Sequence, residues 1–108
     1  MKYDDLYKEK NERMKYFFES SKLTSSVMTA IGSNMLKGNL ELKQKEYIML
    51  GIAIAIRCQD CILAHVKNCK DLGATEQEIR EVAECAVAMG GSPSYAYGSL
   101  ALDIYKNI

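Results

Sequence analysis

Three of the four cysteines and the single histidine of this 108-residue chain fall within twelve residues, from Cys58 to Cys69. The run reads Arg57-Cys58-Gln59-Asp60-Cys61-Ile62-Leu63-Ala64-His65. Cys58 and Cys61 are three apart, so on one helical turn their sulfurs come close enough to bridge. Cys61 and His65 are four apart on the same face, which sets an imidazole beside the second thiol. It can take the thiol proton or, as a cation, stabilise the thiolate. Cys58 falls at or just before a helix start, where free N–H groups and the helix dipole favour a thiolate, and Arg57 adds positive charge. These features converge on a dithiol redox centre.

Other uses of the same residues are weaker. Cys58, Cys61, His65 and Cys69 resemble four metal ligands, but on a straight helix they span roughly 16 Å, too far for one tetrahedral ion. Attachment of a c-type haem is excluded because Ile62, not histidine, follows Cys61. No metal and no cofactor are expected. Cys69 and Cys85 read as small buried hydrophobes, and the six methionines as core or interface filler.

The elements that must position these groups are helical. Proline occurs once, and Ala, Leu, Ile, Glu and Lys are frequent. Tyr3, Leu6, Tyr7, Met14, Phe17 and Phe18 form one stripe of a long first helix. A second helix carries Leu23, Val27, Met28, Ile31 and Met35 and stops near Gly38. A third starts near Leu42 and continues through an apolar run to Ile56, which predicts a central element buried on several sides. The fourth begins near the cysteines and ends at Leu72-Gly73, with Gly73 as a left-handed cap. Thr75 and Glu78 form a capping box for the fifth, which Gly90-Gly91 breaks. Ser92 and Pro93 read as N-cap and first-turn residues of the sixth. The fold class is therefore all-α, a bundle of about six helices in a single domain over residues 1–108.

Composition bounds the partners. Fourteen Lys+Arg balance fourteen Asp+Glu, which opposes bulk-charge binding to nucleic acid or an anionic membrane. The charged N-terminal stretch lacks a signal-peptide apolar region, and the longest uncharged apolar stretch, Tyr47 to Ile56, is half of the ~20 residues of a membrane span. A cytoplasmic location is expected, where cysteines are reduced, redox-active or metal-binding rather than structural staples. The apolar third helix and the striped first and last helices exceed what one small core absorbs, which predicts a homo-oligomer.

The pattern Glu46-x11-Cys58-x2-Cys61-x3-His65 resembles the signature of the AhpD-like, carboxymuconolactone decarboxylase superfamily. The preceding LxxKxKExIxLGIAIA and the following GATEQEIREV resemble the elements flanking it there, so the likeness runs from about Leu40 to Gly91. The resemblance implies an AhpD-like helical fold that assembles as a trimer or hexamer, with a redox branch of alkylhydroperoxidase-type enzymes and disulfide reductases. It assigns Cys58 and Cys61 as the redox pair, His65 as proton carrier and Glu46 as the acid completing the relay. From the residues alone Glu46 reads as a solvated or dipole-facing glutamate. It reaches the cysteines only if the chain reverses after Ile56. Asp60 departs from the family, which often has an aromatic residue or histidine before the second cysteine; a carboxylate there opposes thiolate formation.

The expected cycle begins with His65, polarised by Glu46, promoting a thiolate at Cys61. That thiolate attacks a peroxide, and Cys58 condenses with the resulting sulfenic acid. A thiol or dithiol reductant then opens the disulfide. A disulfide substrate fits the same pair. The alternatives are a carboxymuconolactone-type decarboxylase, which needs no thiol pair, and a non-enzymatic metal-binding or structural oligomer.

Overall fold

A computed structural model describes residues 2–108 as six helices: α1 (Lys2–Ser20), α2 (Lys22–Met35), α3 (Leu42–Ala55), α4 (Gln59–Asp71), α5 (Glu76–Gly90) and α6 (Ser92–Asn107). No strand occurs among the described residues. The helix boundaries follow local chemistry. Ser21 caps α2 through its hydroxyl, which accepts from the Thr24 N–H. Thr75 and Glu78 close the expected capping box at α5. Between α2 and α3, the Lys45 ammonium donates to the Met35 carbonyl at 3.1 Å and to the Lys37 carbonyl, placing a cation at the carboxyl end of α2.

Helices α3 to α6 hold nearly the whole core. Leu50 and Ile54 of α3, Ile62, Leu63 and Val66 of α4, Ile79 of α5 and Ile104 of α6 are all fully enclosed. Each such side chain contributes roughly 1.5–3 kcal/mol through removal from water. The α5–α6 hairpin packs tightly, with Gly98 so close to Ala83 that a Cβ there would lie 3.2 Å from the alanine methyl. α3 lies against both α4 and α5.

Four details correct or sharpen the sequence-based expectation. First, α3 is enclosed only along Glu46, Leu50, Ala53 and Ile54, whereas Ile48, Ile52 and the capping Ile56 are more than half exposed. These three recur every four residues, so they form one free apolar row. Second, only the N-terminal half of α1 docks on the core, through Tyr3, Leu6 and Tyr7; Met14, Phe17 and Phe18 are exposed. Third, α2 buries none of its residues, and Leu23, Val27, Met28 and Ile31 face outward. Isolated helices of this length are marginal in water. Fourth, Gly91 rather than Ser92 occupies the N-cap of α6, because its φ of +77° makes the sharp exit from α5, and Ser92 is already helical. No helix among the described residues is long and apolar enough to cross a membrane.

Candidate functional site

The site begins where α3 ends. Ala53 to Cys58 form a Schellman motif: the Cys58 N–H donates to the Ala53 carbonyl and the Arg57 N–H to the Ile54 carbonyl, each at 3.1 Å. The motif requires a left-handed residue, and Arg57 supplies it at φ +62°. The end of α4 repeats the pattern with glycine. Ala74 donates to Cys69 at 2.9 Å and Gly73 to Lys70 at 3.0 Å, with Gly73 at φ +91°. At Gly73 the geometry is free of strain; at Arg57 it costs about 1–2 kcal/mol. This turn is the reversal after Ile56 that Glu46 needs in order to meet α4.

Cys58 leaves the turn as the N-cap of α4, and its Sγ accepts from the Cys61 N–H at 3.2 Å. Cys58 and Cys61 are bonded as a disulfide, with Cα atoms 5.2 Å apart. The cap position puts the first sulfur at the positive end of the helix dipole.

One turn further on, His65 Nδ1 lies 2.6 Å from Glu46 Oε1. A carboxylate only accepts, so this bond sets the proton on Nδ1 and leaves the Nε2 lone pair free to act as a base. Glu46 is buried, with 6% exposure, so its oxygens depend on protein partners. The second oxygen has one: Asn68 Nδ2 donates to Glu46 Oε2 at 3.3 Å. Asn68 was not singled out from sequence. Its signal is the i, i+3 spacing from His65, which puts both side chains on the face of α4 turned toward α3.

Cys61 and His65 open on a recess of about 180 Å³ whose other walls are Met49, Ile52, Ala53 and Ile56. At ~30 Å³ per water, the space admits a small polar head group, and the walls favour an apolar remainder. Cys58 is outside this lining, so the two sulfurs have unequal access to the recess.

The remaining cysteines divide. Cys69 is fully buried, as expected; burial first, then the nearby Glu46 carboxylate, pushes its thiol up to about 12. Cys85 is a correction: it is exposed, on a depression between α3 and α5 beside Ile48, Ile52 and Met89. Cys85 lies off the inward face of α5, whose buried residues are Ile79, Ala83 and Ala86. No cluster of three or more His, Cys, Asp or Glu that could hold a metal occurs among the described residues.

The helical pattern and this arrangement define a class. The chain belongs to the carboxymuconolactone decarboxylase family, whose model matches residues 22–103. Among curated relatives it is 35% identical over 65 residues to an uncharacterised protein of Cupriavidus necator, covering 60% of this chain and 58% of that one. It is 32% identical over 71 residues to uncharacterised protein 4 of the cox locus of Paracoccus denitrificans, covering 66% and 64% respectively. The match thus spans about three-fifths of the length of these relatives. Among solved structures, a carboxymuconolactone decarboxylase family protein of Legionella pneumophila superposes with TM-score 0.88 at 30% identity, over 97% of this chain and 95% of that one. A Thermotoga maritima family member, described as having a possible antioxidative role, gives 0.79 at 26% identity, over 98% and 88%.

Proposed function

We propose that the protein is a thiol-dependent oxidoreductase that reduces peroxides, in the manner of an alkylhydroperoxidase, or disulfides, by cycling Cys58 and Cys61. The observation that carries this reading is the 2.6 Å contact between Glu46 and His65, with His65 and Cys61 on one recess and Cys58 bonded behind. The antioxidative role raised for the Thermotoga relative agrees with it.

In the cycle, His65 Nε2 takes the Cys61 proton while Glu46 holds Nδ1–H. The thiolate attacks the terminal peroxide oxygen; the O–O bond breaks, the alcohol leaves with the proton from His65, and Cys61 becomes a sulfenic acid. The Cys58 thiol then displaces its oxygen as water, forming the Cys58–Cys61 disulfide. Two reductant thiols restore the dithiol, being oxidised to their own disulfide through a mixed intermediate at Cys58. The apolar walls of the recess select peroxides with a hydrocarbon substituent.

The same reading includes self-association. The exposed rows on α3, α1 and α2 are larger in number than a lone 108-residue chain normally leaves in water, and a second copy covers them in a homo-oligomer. The test of function is consumption of cumene hydroperoxide, and separately of a model disulfide, by the reduced protein with excess dithiol. Turnover of either that vanishes in Cys61→Ser supports the proposal. Absence of both activities, or lactone decarboxylation that survives removal of both cysteines, overturns it.

A further inference from the structure

Asp60 sits between the two cysteines, in the first turn of α4, where a carboxylate competes with a thiolate for the same helix end. Its side chain is engaged from 47 residues away. Arg13 of α1 donates from Nη1 to Asp60 Oδ2 at 2.9 Å. One turn earlier on the same helix, Lys10 is buried at 4% exposure, an unusual place for an amine. Its ammonium lies 4.6 Å from the centroid of the Tyr7 ring and donates to Asn11 Oδ1 at 2.6 Å. Burial lowers the Lys10 pKa; the field of Asp60 works in the opposite sense, and the Arg13 guanidinium lowers it again.

Little of this is needed to hold α1 in place. The Arg13–Asp60 pair is solvent-accessible, with side chains 63% and 41% exposed, so its net contribution to folding is small. Tyr3 already anchors the helix through Asp103. The pair has an electrostatic consequence instead, because the carboxylate it offsets is covalently next to Cys61.

We propose that Arg13 is a positioning residue of the redox site: it offsets the charge of Asp60 and thereby keeps the cysteine thiolate accessible at the start of α4. The inference rests on the dithiol reading above, and it makes the N-terminal helix part of the site. In this arrangement α1 supplies the positive charge that compensates for an acidic residue inside the cysteine motif.

The test is the rate at which iodoacetamide alkylates Cys58 and Cys61 in the reduced full-length protein at fixed pH 7, read by peptide mass spectrometry so that the exposed Cys85 does not contribute, with the dithiol–glutathione equilibrium measured alongside. Arg13→Gln is expected to slow alkylation two- to fivefold, the range of an exposed charge pair, and to shift the equilibrium toward the disulfide. Asp60→Asn accelerates alkylation by a similar factor, and Arg13→Gln/Asp60→Asn returns close to wild type. Arg13→Lys preserves the rate. A rate unmoved by Arg13→Gln, an Asp60→Asn protein that reacts more slowly, or a double variant slower than Arg13→Gln overturns the inference. Peroxide turnover by the wild type is scored separately. If these shifts appear without turnover, the peroxidase reading fails alone; if turnover persists with flat alkylation rates, the Arg13 inference fails alone.

Discussion

Replacing Glu46 with glutamine removes one charge from the interior and almost no volume. In the wild type the carboxylate accepts from His65 Nδ1 at 2.6 Å and from Asn68 Nδ2 at 3.3 Å. A glutamine can still accept from one of them through its carbonyl, but its NH2 must then face the other donor. A hydrogen bond to a charged group is worth about 1.5–3 kcal/mol. That stabilisation grows when His65 becomes cationic, which in the proposed cycle is when it has taken the thiol proton. At 1.36 kcal/mol per factor of ten, its loss predicts a roughly ten- to hundredfold fall in kcat/KM for peroxide. Glu46→Asp keeps the charge but withdraws the carboxylate by about one C–C bond, ~1.5 Å, which breaks the contact, so a loss of the same order is expected. The assay is stopped-flow oxidation of the reduced protein, with thermal melts confirming that each variant folds. Glu46→Gln turning over within twofold of wild type, while His65→Ala is inactive, would refute the relay.

Three further outcomes follow from the structure. Arg57→Gly should stabilise the protein by about 0.5–1 kcal/mol, because relief of the left-handed strain exceeds the added chain entropy; a rise of several degrees in Tm checks it. In the reduced, folded protein at pH 8, a thiol reagent should label Cys85 and leave Cys69 untouched until denaturant is added, since Cys85 is exposed and the Cys69 thiol is buried with its pKa pushed up to about 12. Light scattering should give a mass that is a multiple of 12.1 kDa, and Val27→Glu or Ile48→Glu should lower it without loss of helical signal; a wild-type monomer contradicts the proposed assembly.

The helices were readable because their punctuation is local. Gly38, Gly73, the Thr75–Glu78 box and Gly90-Gly91 act within a few residues of where they stand. Cys58, Cys61 and His65 were readable for the same reason, being spaced within two turns of one helix. Glu46 was not, from residues alone, because its place depends on the reversal at Arg57, and nothing local marks an arginine as left-handed. Sequence periodicity reports which residues share a face, not what covers it. Hence the stripe on α1 was legible as a face without its docking, and the all-round apolar third helix was read as buried on several sides although Ile48, Ile52 and Ile56 stay exposed. Arg13 lies 47 residues from Asp60, and its pairing depends on how α1 crosses α4, which no spacing rule encodes.

The proposed cycle requires Cys58 and Cys61 to exchange a dithiol for a disulfide when peroxide is consumed. Fully reduced protein treated with a limiting amount of cumene hydroperoxide, then alkylated, digested and weighed by mass spectrometry, reports this in one experiment. The prediction is a peptide lighter by two hydrogens, with Cys58 and Cys61 joined and Cys69 and Cys85 still free. Peroxide lost while Cys58 and Cys61 remain separately alkylated, or oxidation confined to Cys85 or the methionines, would contradict it.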